Sequence, residues 1–389
     1  MANITGTTED TGRTGGVAVA ERVAAAHALW MSTLPTIRRP PVGELLPQPL
    51  RTAELELPTE PIAAPALVVG GAIAGTHGPI SDLAVSSDGG RLVAAHYADD
   101  VVSIVDTAAM AVTATITDVP EPYRVSVADR AYVSSASDSD DAVVAIDTTT
   151  GRALAATIVD ETAAGIAVNP AGDVLYVGRN GDEVVDIAAI DVETGATRVI
   201  ELTTAPGASV DAIRVSADGT KVFAAVTTPA GGSLAIIDTR SGAVQRTAAL
   251  GGSIGDIAVA PRGRKVFVTG WDAELGGVIH VVDAAAARLI DTVALGGLPT
   301  QLVFGRGGDV AFVVDRDQIV VLCTATHEVI DSVVIGGQLS CLAASPDGAR
   351  LYAADYAGTI TELRVEAGTG HALHELVSTG LRELAAAAS

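Results

Sequence analysis

Between residues 78 and 363 the chain alternates short apolar runs with tight polar turns, and no run is long enough for a typical helix. The runs are rich in Val, Ile, Ala and Leu, and bounded by Gly, Asp, Ser and Pro, so they predict strands. Their order repeats. A first strand ("ISDLAV", "AAGIAV", "DAIRV", "IGDIAV", "TQLVF", "SCLAA") meets a glycine turn, and a second strand such as "RLVAAH" or "VLYVGR" follows. A variable polar loop then leads to a third strand ending in Asp, a turn and a fourth strand.

The first turn is almost the same phrase each time: "SSDGGRLVAAH" (86–96), "NPAGDVLYVGR" (169–179), "SADGTKVFAAV" (216–226), "APRGRKVFVTG" (260–270), "GRGGDVAFVVD" (305–315) and "SPDGARLYAAD" (345–355). Its glycines are Gly89, Gly172, Gly219, Gly263, Gly308 and Gly348. The 83 residues between Gly89 and Gly172 leave room for one unit with a shorter turn, "YRVSVADRAYVSSA" at 123–136, making seven units. In "SPDG", Pro346 fixes φ, Asp347 suits the next position and Gly348 completes a type I turn. Asp106, Asp147, Asp191, Asp238 and Asp283 close the third strands, where their carboxylates are expected to accept turn N–H groups rather than to act in catalysis.

A 40–47-residue period of four strands predicts an all-β, seven-bladed β-propeller of four-stranded antiparallel blades over residues 65–365. One blade leaves apolar faces uncovered, so blades must stack radially and close. The last unit lacks a clean fourth strand. Upstream of the first, "ALVVGGAIAG" (66–75) matches the fourth-strand phrases "RTAALGGSIG" and "DTVALGGLPT". The N-terminal segment is therefore predicted to complete the last blade.

"SPDGARLYAAD", "LYVGRNGDEV" and "VAIDTTTGRA" resemble the bacterial YVTN-type, WD40-like propeller repeats, which pair an S-P-D-G turn with a Tyr-Val second strand and an Asp-Thr-x-Thr-Gly turn. The resemblance covers about 65–365. It implies a seven-bladed ring and transfers no catalytic residue, because the repeat specifies blades.

Composition narrows the function. A net charge of −23, with lysine only at 221 and 265, argues against nucleic acid, whose phosphates demand concentrated cations. Two cysteines, Cys323 and Cys341, are too few for a disulfide framework or a cysteine metal site, and C-x-x-C-H is absent. No apolar run suggests a membrane span, and the N-terminus is a poor secretory signal, so a cytoplasmic protein is expected, with export by another route as the alternative. Residues 1–64 read as an arm, with a helix at 17–34 carrying Trp30 as a possible docking anchor and a Pro-rich stretch after it. Residues 366–389 read as a short helical tail, whose His371, His374 and Glu375 lack the spacing of a zinc motif.

Loops before first strands and between second and third strands share one face of a propeller, where variation leaves the scaffold intact. That face is expected to carry Tyr97, Arg179, Trp271, Arg316 and Tyr356 as partner contacts, and Asp82, Arg124, Asp256, Gln301 and Cys341 at the axial mouth. Arg214, where other units put small residues, needs a carboxylate from Asp211 or a neighbouring blade. "SDSDD", with Asp138, Asp140 and Asp141, lacks the glycine and distal Glu of a calcium loop. No nucleophile elbow, P-loop or zincin pattern appears. The expectation is a non-enzymatic, monomeric ring that binds a protein partner, without cofactor or metal. The alternatives are a lactonase-like hydrolase, built on His96, Asp82, Arg124 and Arg179, and a small-molecule or metal sensor.

Overall fold

A computed structural model describes residues 64–74, 77–137 and 141–366. The proposed helix at 17–34 with Trp30, the C-terminal tail, and Asp138 and Asp140 lie outside the described residues.

Seven four-stranded antiparallel sheets form seven blades, each running from an inner to an outer strand. Blade 1 (80–116) consists of Ile80–Val85, Arg91–His96, Val101–Asp106 and Ala111–Ile116. Blades 2 (122–158), 3 (162–203), 4 (209–251), 5 (253–294) and 6 (299–334) repeat that plan. Blade 7 takes Leu339–Ala344, Arg350–Asp355 and Ile360–Glu366 from the C-terminal part of the ring, and its outer strand from Ala66–Ile73. This closing strand pairs antiparallel with Ile360–Glu366, from Ala66 opposite Glu366 to Ile73 opposite Ile360. Each inner strand packs on the next, blade 7 on blade 1 included, so the circle is complete.

The core lies between blades. Ile80, Leu92, Ala94 and Val105 of blade 1 pack with Cys341, Tyr352 and Ile360 of blade 7, and Ile73 of the closing strand joins them. The scarce aromatics are concentrated at one second-strand position: Tyr132, Tyr176, Phe223, Phe267, Phe312 and Tyr352 are all buried there. Blade 1 has Val93 instead. A large flat side chain fills the wedge between two twisted sheets that Val and Ala leave open.

The repeated turns are built as their residues dictate. The Gly89, Gly219 and Gly348 amides donate to the carbonyls of Ser86, Ser216 and Ser345, and the glycines sit at φ of 74°, 69° and 65°. Each serine hydroxyl donates to the turn aspartate at 2.5–2.6 Å. At the ends of third strands, Asp106 Oδ1 accepts from Ala108 and Ala109, Asp147 Oδ1 from Thr149 and Thr150, and Asp283 Oδ1 from Ala285 and Ala286. These carboxylates are occupied by the backbone. Among the described residues, no helix is long and apolar enough to cross a membrane.

Candidate functional site

The turns between first and second strands, with glycine in every blade but the second, lie at one end, and the variable loops lie at the other. At the loop end each inner strand carries a register irregularity, as between Ile80 and Asp82, Pro122 and Val125, and Ile254 and Ile257. Such bulges re-aim side chains. They come beside one equivalent position around the axis: Asp82, Arg124, Gly165, Ala212, Asp256, Gln301 and Cys341, in blades 1 to 7.

Four of the blades are laced together there. Leu342 N–H of blade 7 donates to Gln301 Oε1 of blade 6 at 2.5 Å. Gln301 Nε2 donates past blade 7 to Asp82 Oδ1 of blade 1 at 3.0 Å, and Val125 N–H of blade 2 donates to Asp82 Oδ2 at 2.9 Å. Asp82 also accepts from its neighbour Leu83 N–H at 3.0 Å. Burial raises its pKa, against the pull of Arg124, the Val125 N–H, Arg214 and Gln301. On the other side of the ring, Arg214 Nη2 of blade 4 meets Asp256 Oδ1 of blade 5 at 2.7 Å, so the neighbouring blade supplies the carboxylate. Asp211 instead accepts the hydroxyls of Ser209 and Thr227 at 2.7 and 2.5 Å. Burial of Cys341 (1 % exposed) lifts its thiol far above the ordinary range, which keeps the sulfur protonated and a poor nucleophile.

Arg124 stands apart. Its backbone N–H bonds Ser134 Oγ at 2.9 Å, but among the described residues its guanidinium has no hydrogen bond or ion pair. Nε is sealed from solvent without a partner. The group lies 5.0 Å from the centroid of the Tyr123 ring. Desolvation opposes its charge, but Tyr123, Asp82, Asp256 and Cys341 outweigh it and hold the pKa above the ordinary value. Tyr123 in turn neighbours Tyr97 and Tyr356. Burial first, and then these phenols' mutual proximity, push the Tyr97 and Tyr356 hydroxyls up. Blades 7, 1 and 2 thus place three tyrosines beside the mouth, of which Tyr123 (42 % exposed) and Tyr356 (38 %) face solvent.

This ring has a relative of known architecture. The seven-bladed beta-propeller protein Rv1057 of Mycobacterium tuberculosis is 34% identical over 324 residues, spanning 74% of this chain and 82% of that protein. The chain belongs to its family. No family model matches the sequence. Among solved structures, Kuenenia stuttgartiensis hydrazine synthase superposes with a TM-score of 0.68 at 19% identity, over 77% of this chain and 99% of that one, which is a likeness of fold.

Within this seven-bladed family member, the other expected contact residues scatter. Trp271 is not on a loop: it lies in the strand Lys265–Asp272, half-buried opposite Gly277 and Ser253, because the hairpin is tighter than the sequence implied. Arg179 is likewise in a strand, Val174–Asn180, with Nε and Nη2 on Asp186 at 2.7 and 2.9 Å. Only Arg316 occupies a bare turn, exposed at φ 63°. His96 is buried. Its Nδ1 lies 3.1 Å from the Gly78 carbonyl, which makes Nδ1 the protonated nitrogen, and desolvation lowers its pKa. Arg179, fully engaged by Asp186, does not join Asp82 and Arg124 at the axis, so the four groups of the hydrolase alternative do not converge. Among the described residues, no cluster of three His, Cys, Asp or Glu is arranged to hold a metal. Asp141 ties its loop to blade 3 by accepting the Ala163 N–H at 2.9 Å.

Two features escaped the sequence reading. Tyr123 was hidden beside Arg124 at the start of an inner strand, where a variable position gives no signal. A groove of about 450 Å³ lies on the opposite, turn face, lined by Pro261, Phe304, Arg306, Pro346 and Asp347 of blades 5 to 7. It forms only when consecutive turns are set side by side.

Proposed function

We propose that this propeller is a non-enzymatic binding module that engages a protein partner on its loop face. The observation that carries the reading is the patch formed by Tyr97, Tyr123 and Tyr356 from three consecutive blades around the mouth. Tyrosine contributes large contact area at small entropic cost and keeps a hydroxyl for orientation, which is why it anchors interfaces. Support also comes from the engaged state of the chemistry-bearing groups. The strand-end aspartates serve turns, Arg179 and Arg214 serve ion pairs, and Cys341 is a protonated core thiol. A strongly acidic chain favours a partner with a basic contact surface, through long-range attraction that salt weakens.

The test is capture from native lysate by the full-length protein and by two variants. One carries Tyr97→Ala, Tyr123→Ala and Tyr356→Ala; the other carries Arg306→Ala on the turn face. The reading expects a partner held by wild type and by Arg306→Ala and lost from the triple variant. Equal capture by all three, or a partner lost only with Arg306→Ala, overturns it.

A further inference from the structure

Every blade ends in an outer strand with one unpaired backbone edge, and natural proteins blunt such edges with charges, bulges or a covering segment. Blades 3 to 6 carry charges within theirs: Arg198 and Glu201, Arg246, Asp291 and Asp331. Blade 1's outer strand is partly covered, with Ile116 buried, and blade 7's holds Gly70 and Gly71 at a register irregularity. Blade 2 differs from all of these. The seven residues of Arg152–Ile158 are exposed throughout, Leu154 at 48 % and Ile158 at 61 %, and the only charge stands at the first position. Among the described residues, this strand pairs with Ala142–Asp147 on one side and with nothing on the other.

The edge is complementary to itself. Residues 152–160 read "RALAATIVD", with a cation at the turn end, a carboxylate at the loop end, and Leu154 and Ile158 evenly placed about Ala156. Laid antiparallel on a second copy about Ala156, the stretch sets Ala155 beside Thr157, Leu154 beside Ile158 and Arg152 beside Asp160, each pair made twice. Apolar and opposite-charge neighbours across strands are favourable. Arg152, Asp160 and the adjoining Glu161 are exposed, and among the described residues they form no ion pair. From this charge and shape complementarity we propose that two copies of the chain pair through the outer strands of blade 2, joining two blades into one continuous sheet about a two-fold axis. The blade's own bulge falls at Leu154, so regular backbone pairing is confined to the residues after it. Arg152, before the bulge, meets Asp160 or Glu161 through the length of its side chain. So small a contact between chains of net charge −23 makes a weak dimer, in the micromolar-to-millimolar range, in place of the monomer that the sequence suggests. Antiparallel strands point the two loop ends in opposite directions, so the tyrosine patch stays open in each copy and the protein-partner reading is independent of this one.

The experiment follows sedimentation of purified full-length protein from about 1 μM to about 1 mM, a span that covers affinities of this class. Wild type is expected to pass from monomer to dimer. Ile158→Lys should stay monomeric, since a charge on an edge strand opposes pairing. Arg152→Glu should weaken the dimer roughly tenfold, because the substitution acts twice across the two-fold. Adding Asp160→Arg to it restores opposite charges and should recover the dimer. A cysteine probe reads the register directly. Ala156→Cys, opposite itself in the pair, should link two copies under mild oxidation, whereas Val199→Cys on the exposed outer strand of blade 3 should not. The native Cys323 and Cys341 are buried and do not compete. Wild type that remains monomeric at the highest concentration overturns the proposal. So does a dimer that survives Ile158→Lys, a charge reversal that is not rescued, or equal linking at residues 156 and 199.

Discussion

The two ends of the ring use the same amino acids for opposite purposes. Three of the six tyrosines, Tyr132, Tyr176 and Tyr352, are buried wedges between blades, and the other three, Tyr97, Tyr123 and Tyr356, stand at the loop-end mouth. The aspartates differ between the ends as well, with Asp272 as an exception, a loop-end carboxylate depressed by the Leu275 and Glu274 N–H groups. At the turn end Asp88, Asp218 and Asp347 have depressed pKa values through a serine hydroxyl, and Asp106, Asp147, Asp191, Asp238 and Asp283 through a turn N–H. At the mouth, burial raises Asp82 and Asp211. Repetition therefore marks the end that holds the ring together, and departure from repetition marks the end on which the proposed partner surface lies. The comparison also shows why a repeat identifies a fold better than a function.

The strongest way to break this scheme is to open the ring. Removing 66–73 takes from blade 7 the strand that pairs along Ile360–Glu366 and uncovers Ile360 and Leu363, otherwise 3 % and 0 % exposed. The loss should approach the whole stability of such a domain, about 5–15 kcal/mol, and appear as insoluble or non-cooperatively melting protein. Wild-type melting of that deletion would refute closure by the N-terminal strand. A smaller effect is expected at the mouth. Asp256→Ala leaves Arg214 without its counter-ion and should cost about 3 kcal/mol in denaturant unfolding, the low side for a buried pair because Arg214 is one-third exposed. Adding Arg214→Met to that variant should recover much of the loss; strictly additive losses would show that the two side chains do not act as a pair.

The turn end offers a sharper internal contrast. Gly263 and Gly348 occupy equivalent turns at φ 66° and 65°, yet a Cβ at Gly263 meets nothing within 4 Å, whereas one at Gly348 runs into the Arg306 backbone. Gly263→Ala should cost about 1 kcal/mol, the left-handed backbone penalty alone. Gly348→Ala should cost at least about twice that, since the neighbouring turn must move as well. Equal losses would mean that the turns are not packed side by side as described.

Blade number, turn positions and ring closure were all legible in the sequence, because Gly at the first turn and Asp at a strand end recur and the segment 66–75 repeats the fourth-strand phrase. Asp82, Arg124, Asp256, Gln301 and Cys341 share one register position on five of the seven inner strands, an alignment that the repeat itself displays. Contacts were not legible. Whether Arg214 would choose Asp211 or Asp256 depends on which blade's wall it reaches, and Trp271 and Arg179 turned out to belong to strands because hairpin length varies from blade to blade. Tyr123 gained significance only once Tyr97, from the next blade, and Tyr356, from the blade beyond it and distant in sequence, came alongside.

The smallest effects separate the two classes of aspartate by the sign of their pH dependence. Asp218 has its pKa lowered to about 2 by the Ser216 hydroxyl first and the Thr220 N–H next. A depressed carboxylate contributes stability above its unfolded value of 3.8 that fades as pH falls through the folded value. Asp218→Asn should therefore melt slightly below wild type at neutral pH and converge with it near pH 2. Asp82 behaves in the opposite sense. Its raised pKa means that the folded state favours the protonated form, so its contribution is fullest below 3.8 and is lost as pH rises through the folded value. The melting difference between Asp82→Asn and wild type should thus shift in favour of the variant as pH rises, whatever constant offset the amide introduces through its altered contacts with Val125 and Gln301. Because each variant is compared with wild type at the same pH, titration of every other group cancels to first order, and the slope reports the substituted residue. Slopes of the same sign would place both carboxylates in one kind of environment and remove the distinction between the end that repeats and the end that does not.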